Sequence, residues 1–168
     1  MVYTSNDFIE SLKPHNPHVS AAAVQMLVDS APVNVKPLIN AFYDSIDQSI
    51  QAYIIQALAL IGNPEAVDLF TEVVGTEVAN HCQGNVRRIA ARGLGRIGKA
   101  SSNPELIHRI TQTLIWTLFN PQDWGLRYAA AVSLQEIATP EANTALHQAL
   151  KQEADKVVQS RISAALSS

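Results

Sequence analysis

Ile50-Gln51-Ala52-Tyr53-Ile54-Ile55-Gln56-Ala57-Leu58-Ala59-Leu60-Ile61-Gly62 returns as Val86-Arg87-Arg88-Ile89-Ala90-Ala91-Arg92-Gly93-Leu94-Gly95-Arg96-Ile97-Gly98. It returns again as Leu126-Arg127-Tyr128-Ala129-Ala130-Ala131-Val132-Ser133-Leu134-Gln135-Glu136-Ile137-Ala138. Leu58, Leu94 and Leu134 are equivalent, and the copies start at 50, 86 and 126. Self-similarity at a period of this length marks a stacked repeat. Behind each copy stands a polar residue, Pro and Glu: Asn63-Pro64-Glu65, Asn103-Pro104-Glu105 and Thr139-Pro140-Glu141. That trio puts a capping side chain at the N-cap, proline at the first helical position and a carboxylate where the helix dipole favours one. A second helix therefore restarts behind each copy. Gly98 aligns with Gly62 as a helix stop, and the longer second interval, Lys99-Ala100-Ser101-Ser102, is expected in a turn.

Weaker copies flank this core at Val19 to Leu27 and Val158 to Leu166. Apolar residues recur at helical spacing and nothing alternates usefully with a strand period. Alanine runs at 21–23, 90–91 and 129–131 allow close helix approach. The expectation is an all-α, HEAT-like α-solenoid of about five helical pairs, forming one domain over residues 1–168.

Apolar residues make up 47 % of the 168 residues and charged residues 16 %, a balance that builds a core and argues against long disorder. The net charge is −3, so the molecule as a whole does not attract polyanions. Its distribution is uneven. Residues 1–80 carry two Lys and nine acids; residues 81–110 carry Arg87, Arg88, Arg92, Arg96, Lys99 and Arg109 against Glu105 alone; the remainder has four bases and five acids. A basic patch in an acidic protein favours a small anionic ligand or an acidic partner. The chain opens without a basic and apolar leader, and Cys82 is its single cysteine. With no apolar run near the roughly 20 residues of a membrane span, a cytoplasmic protein with no membrane span is expected.

Gly93-Leu94-Gly95-Arg96-Ile97-Gly98 matches G-x-G-x-x-G, yet that fingerprint needs a strand before it and a helix opening after it. Here it lies inside a repeat helix, where small residues serve packing. His15 and His18 flank Pro17 with no third metal ligand nearby. Val78-Ala79-Asn80-His81-Cys82-Gln83-Gly84-Asn85 stands apart, because it fills an inter-repeat connection with reactive side chains. Alignment sets Gln83 opposite Asp47 and Asp123, so His81 and Cys82 are expected just ahead of a helix whose first residues include Arg87 and Arg88. A thiol near a helix N-terminus, guanidinium groups and an imidazole is favoured as thiolate. A lone cysteine without chemistry fits the same residues.

The frame of polar residue, alanine run, Leu, Ile-Gly and Asn-Pro-Glu-Ala-Val resembles the HEAT-like repeats of the phycobilisome lyases across nearly the whole chain. Asn80-His81-Cys82-Gln83-Gly84-Asn85 is similar to the signature of the F-type subunits of phycoviolobilin lyase-isomerases. The resemblance implies a heterodimer with an E-type lyase subunit. Such a pair attaches phycocyanobilin to a cysteine of the apo-phycoerythrocyanin alpha subunit and shifts a double bond to give phycoviolobilin, in cyanobacterial phycobilisome assembly. It implies His81 and Cys82 as the catalytic pair, with phycocyanobilin as substrate and neither metal nor other cofactor.

A bilin presents propionates, pyrrole nitrogens and wide apolar faces, so its receptor needs cations, a carboxylate and aromatic platforms. Asn80 and Gln83 belong to the motif. Arg88, Arg92 and Arg96 form one helical stripe, and Arg87 beside it can take a propionate; a solvated basic face is the plain alternative. Asp123 can hold pyrrole N–H groups, with Trp124 and Tyr128 over a ring, or Asp123 simply caps a helix while both aromatics pack in the core, the position favoured for Tyr128. Val157, Val158, Ile162 and Leu166 are expected to offer an apolar end to the partner. A non-catalytic adaptor or chaperone for bilins or phycobiliproteins is the rival function, and a nucleic-acid enzyme using the Arg stripe conflicts with the acidic total charge.

Overall fold

A short polar side chain closes the first turn of most helices in this protein, and those caps set the repeat. The computed structural model describes residues 17–29, 35–77 and 81–168, with Asp7 and Leu12 besides; of residues 17–20, 81 and 82 it describes the backbone alone. Asn63 accepts from the Glu65 N–H, Asn103 from those of Glu105 and Leu106, and Thr139 from that of Ala142, each with proline behind it as the motif predicts. Asp47, Asp123 and Asp155 cap the alternate helices in the same way.

The helices are α1 (Pro17–Asp29), α2 (Lys36–Asp44), α3 (Gln48–Ile61), α4 (Val67–Gly75, entered through a 3-10 turn at Pro64–Ala66), α5 (His81–Ala100), α6 (Pro104–Leu118), α7 (Trp124–Ile137), α8 (Pro140–Leu150) and α9 (Lys156–Leu166). Every regular element among the described residues is helical. The helices α1, α3, α5, α7 and α9 lie side by side in one layer, with α4, α6 and α8 packed behind. The chain is an all-α HEAT-like solenoid, its pairs followed by α9. Leu58, Leu94 and Leu134, the equivalent leucines, are all fully buried. Among the described residues, no helix is long and apolar enough to cross a membrane.

The middle of the stack is its tightest part. A Cβ on Gly95 would lie 2.5 Å from Ser133 Cβ and 2.9 Å from its Cα, and one on Gly93 2.6 Å from the Phe70 ring. Ser133 is buried without cost to its hydroxyl, which donates to Ala91 O at 3.0 Å and accepts from Arg92 Nη1 at 2.9 Å. The G-x-G-x-x-G run is thus the surface on which α5 meets α4 and α7, as its place within a helix implies.

Two expectations are corrected here. Gly98 does not stop its helix: α5 continues to Ala100, and a Cβ at Gly98 would lie 2.7 Å from Ile137 Cδ1. The four extra residues therefore divide between the last turn of α5 and the loop. Gly62, by contrast, adopts φ +69° and donates to Leu58 O, and Ala138 takes the same left-handed role at φ +56°. The apolar end expected of α9 is also largely absent, because Val158 and Ile162 are buried against the stack. Of the four residues named for it, only Val157 is exposed.

Arg127 ties the loops at that end. Its Nε and Nη2 donate to Glu153 at 2.7 and 2.9 Å, and Nη1 to Asn120 O at 3.0 Å. The Arg127 hydrogen bonds hold the Glu153 carboxyl below its ordinary value against the opposing effect of burial, and Arg92 does the same for Glu136. A depressed carboxylate stabilises the fold above its unfolded pKa, near 4.5, and that stability is lost as pH falls through the lower folded value.

Replacing Gly95 with Ala is expected to destabilise the fold by about 1–3 kcal/mol through overpacking, although alanine is the better helix former by about 1 kcal/mol. Ala138→Gly, which relieves a left-handed alanine, should stabilise it by up to about 1 kcal/mol. Urea unfolding followed by circular dichroism measures both, and a more stable Gly95→Ala protein would refute the close contact. Glu153→Gln should flatten the loss of stability below about pH 4.5, read from melting temperature against pH.

Candidate functional site

Helix α5 carries the reactive motif at its start and the basic residues one to four turns later. The helix begins at His81, so His81 and Cys82 are its first two residues and Gln83 its third. They do not precede the helix, and Gln83 is not a cap equivalent to Asp47 and Asp123. The helix takes up His81 to Gly84 as its own turn. Asn80 lies outside the described residues. Gln83 and Arg87, one turn apart on the same face, line a single cavity.

The two adjacent arginines part company. Arg87 is 4 % exposed, and its Nε and Nη2 donate to Val74 O, near the end of α4, at 2.9 and 2.7 Å. It is therefore not part of an open basic surface beside the stripe. Burial lowers its pKa from the ordinary arginine value, with partial compensation from the charge of Asp123. Arg88 faces α7, where Nη2 donates to Asp123 Oδ1 at 2.9 Å and the guanidinium lies 5.7 Å from the Trp124 ring centre.

Asp123 combines two roles weighed separately in the sequence. Its Oδ1 caps α7 through Leu126 N–H at 3.0 Å and accepts from Arg88. Burial pushes its carboxyl up, but the hydrogen bonds from Leu126 and Arg88, with the Arg88 charge, outweigh that and leave it below the ordinary carboxylate value. An ionised Asp123 can accept N–H donors.

Trp124 is 49 % exposed and Tyr128 37 %. The core position favoured for Tyr128 is thus corrected: both aromatics lie on the surface of α7, four residues apart on one face. The structure brings Arg88, Asp123 and Trp124 into direct contact, with Tyr128 a turn away. An ionised acid, a guanidinium and exposed rings so arranged can bind a flat, conjugated, carboxylate-bearing molecule.

The next member of the arginine stripe is occupied within the chain. Arg92 makes a two-pronged contact with Glu136 at 3.0 and 2.8 Å besides its bond to the Ser133 hydroxyl, while Arg96 is exposed. A row of free cations suited to a phosphate backbone is therefore not what α5 presents.

Gly125 belongs to no motif of the sequence. A Cβ there would lie 2.4 Å from Arg88 Cζ, so a side chain at this position would displace the guanidinium from the start of α7. Its signal was visible in retrospect as the one small residue in Asp123-Trp124-Gly125-Leu126-Arg127-Tyr128.

The HEAT-repeat model matches residues 35–111 and 76–167. The bilin biosynthesis protein PecF of Nostoc sp. (strain PCC 7120) is 58 % identical over 161 residues, 96 % of this chain and 93 % of that protein. PecF of Mastigocladus laminosus is 60 % identical over 148 residues, covering 88 % and 70 %. Among solved structures, a chain from the complex of CpcE and CpcF of phycocyanin lyase from Nostoc sp. PCC7120 superposes with TM-score 0.82 at 30 % identity, over 95 % of this chain and 96 % of that one. On these likenesses, the chain belongs to the HEAT-repeat family and, within it, to the group formed by the PecF bilin biosynthesis proteins.

Proposed function

We propose that this chain is one subunit of a heterodimeric bilin lyase-isomerase. With an E-type partner it attaches phycocyanobilin to a cysteine of the apo-phycoerythrocyanin alpha subunit and isomerises it to phycoviolobilin. The observation that carries this reading is near full-length identity to PecF, 58 % over 96 % of the chain. The CpcE–CpcF likeness supports the E-type partner. The setting is the cyanobacterial cytoplasm, during phycobilisome assembly.

Attachment needs the acceptor thiol held against the correct bilin carbon, which is work of positioning. Arg88, Asp123, Trp124 and Tyr128 supply the surface for it: rings against a pyrrole face, a carboxylate for pyrrole N–H groups, and a cation. Isomerisation removes a proton from one carbon and returns one to another, with no net change in oxidation state. In this reading His81 carries that proton. The Cys82 sulfur adds reversibly to the conjugated system and leaves again when the double bond reforms in its new position. A helix start, where the backbone places Cys82, favours the thiolate needed for addition. Proton transfer and sulfur addition suffice for this route, so it includes no metal or other cofactor.

With the E-type subunit, phycocyanobilin and apo-protein mixed, the spectrum of the purified adduct tests the reading. Cys82→Ala is expected to leave attachment intact and abolish the blue-shifted product, while His81→Gln slows isomerisation at least tenfold. Phycoviolobilin formed at the ordinary rate by Cys82→Ala would remove the covalent step, and no adduct from the wild-type mixture would remove the function. Trp124→Ala should weaken bilin binding several-fold by loss of a ring platform, measured by absorbance titration, with helical content unchanged.

A further inference from the structure

Arg87 is a buried cation that feels the charge of Asp123 only from a distance. No carboxylate of the described residues stands within ion-pair distance of it, although a desolvated charge is costly without a partner of opposite sign. Two of its donors meet Val74 O, and a guanidinium has five. The side chain lines a cavity walled by Phe42, Val73 and Val86, with Gln48 and Gln83 among its polar residues.

The cavity measures about 90 Å³. A water needs roughly 10–15 Å³ of such space, so the cavity has room for several waters or one short acid arm. The chemistry that fits is a single carboxylate on a flexible chain: oxygens toward Arg87, methylenes against the apolar wall.

We infer that this cavity between α2, α3, α4 and α5 is an anchor for one propionate arm of the bilin, with Arg87 as its counter-ion. The inference rests on the bilin reading above and adds a second contact region to it, separate from the Arg88–Asp123–Trp124 surface. A guanidinium is not deprotonated in proteins, so Arg87 is available as a cation. His81 and Cys82 stand six and five residues before Arg87 on the same helix, about 8–9 Å along its axis at 1.5 Å per residue. A bilin carries its propionates on the two middle rings, so an arm held at Arg87 keeps the neighbouring ring junction close to the start of α5. The anchor would thereby fix which ring junction is presented there.

The test compares phycocyanobilin with its dimethyl ester, titrated by absorbance into the protein together with its E-type partner. The wild type is expected to prefer the diacid by about tenfold or more, the range of a charge-assisted pair. Gln48 is exposed and is the first residue of α3, where a carboxylate suits the helix dipole and folding is preserved. Gln48→Glu places a negative charge at the cavity, and should cut diacid affinity about tenfold while leaving the ester within twofold. Arg87→Met should abolish the preference, with Gln48→Glu standing for it if the buried substitution unfolds the chain. Equal binding of acid and ester by the wild type, or a preference unchanged in Gln48→Glu, overturns the inference. If phycoviolobilin still forms in that case, the bilin reading stands; if neither form binds and no adduct appears, both fall.

Discussion

The approach of α5 to α7 at Gly95 and Ser133 is the contact on which the arrangement of this protein depends. Where two helices come so close that a single methyl group would collide with the opposite backbone, their relative position cannot drift. Ser133 adds direction to that closeness, because its hydroxyl is bonded both to the α5 backbone and to Arg92. Two turns toward the N-terminal end of α5, the same pairing of helices brings Arg88 to Asp123 and lays its guanidinium over Gly125 beside Trp124. A packing contact thus sets the register of the polar surface.

The charge pattern has a corresponding logic. A basic segment between two acidic ones looks like a field aimed outward, yet most of its arginines are turned toward acids of the same chain: Arg88 to Asp123, Arg92 to Glu136, Arg109 to Asp68. These pairs join helices that are far apart in sequence and neutralise the patch locally. Arg87 differs because its neighbour in space is the end of α4, whose last carbonyls are acceptors without charge. Adjacent arginines on a helix point about 100° apart, which is enough to send one into a cavity and the other onto a surface.

The repeat was legible because its physical causes are local. Caps, proline at the first helical position and leucines at fixed spacing act within one helix, and Asn103, Pro104 and Leu94 did what their types imply. Gly98 and Ala138 show where local reasoning stops. Glycine is the usual helix stop, but Gly98 lies within α5 against Ile137, whereas at the equivalent position of α7 an alanine, Ala138, takes the left-handed cap. The end of α9 illustrates the same limit: Val158 and Ile162 are apolar whether they face a partner or their own stack, and only the packing of α9 distinguishes the two.

By itself the sequence determined an all-helical repeat, its phase, its caps and the residues able to meet a flat, acidic, conjugated ligand, since each of these follows from residue type and spacing along one chain. Tertiary structure decided which of those residues share a site. It separated Arg87 from Arg88, exposed Tyr128, laid the Arg88 guanidinium over Gly125 and formed a cavity among four helices. None of those outcomes is written in any one helix, because each depends on the distance and angle at which helices far apart in sequence come to pack.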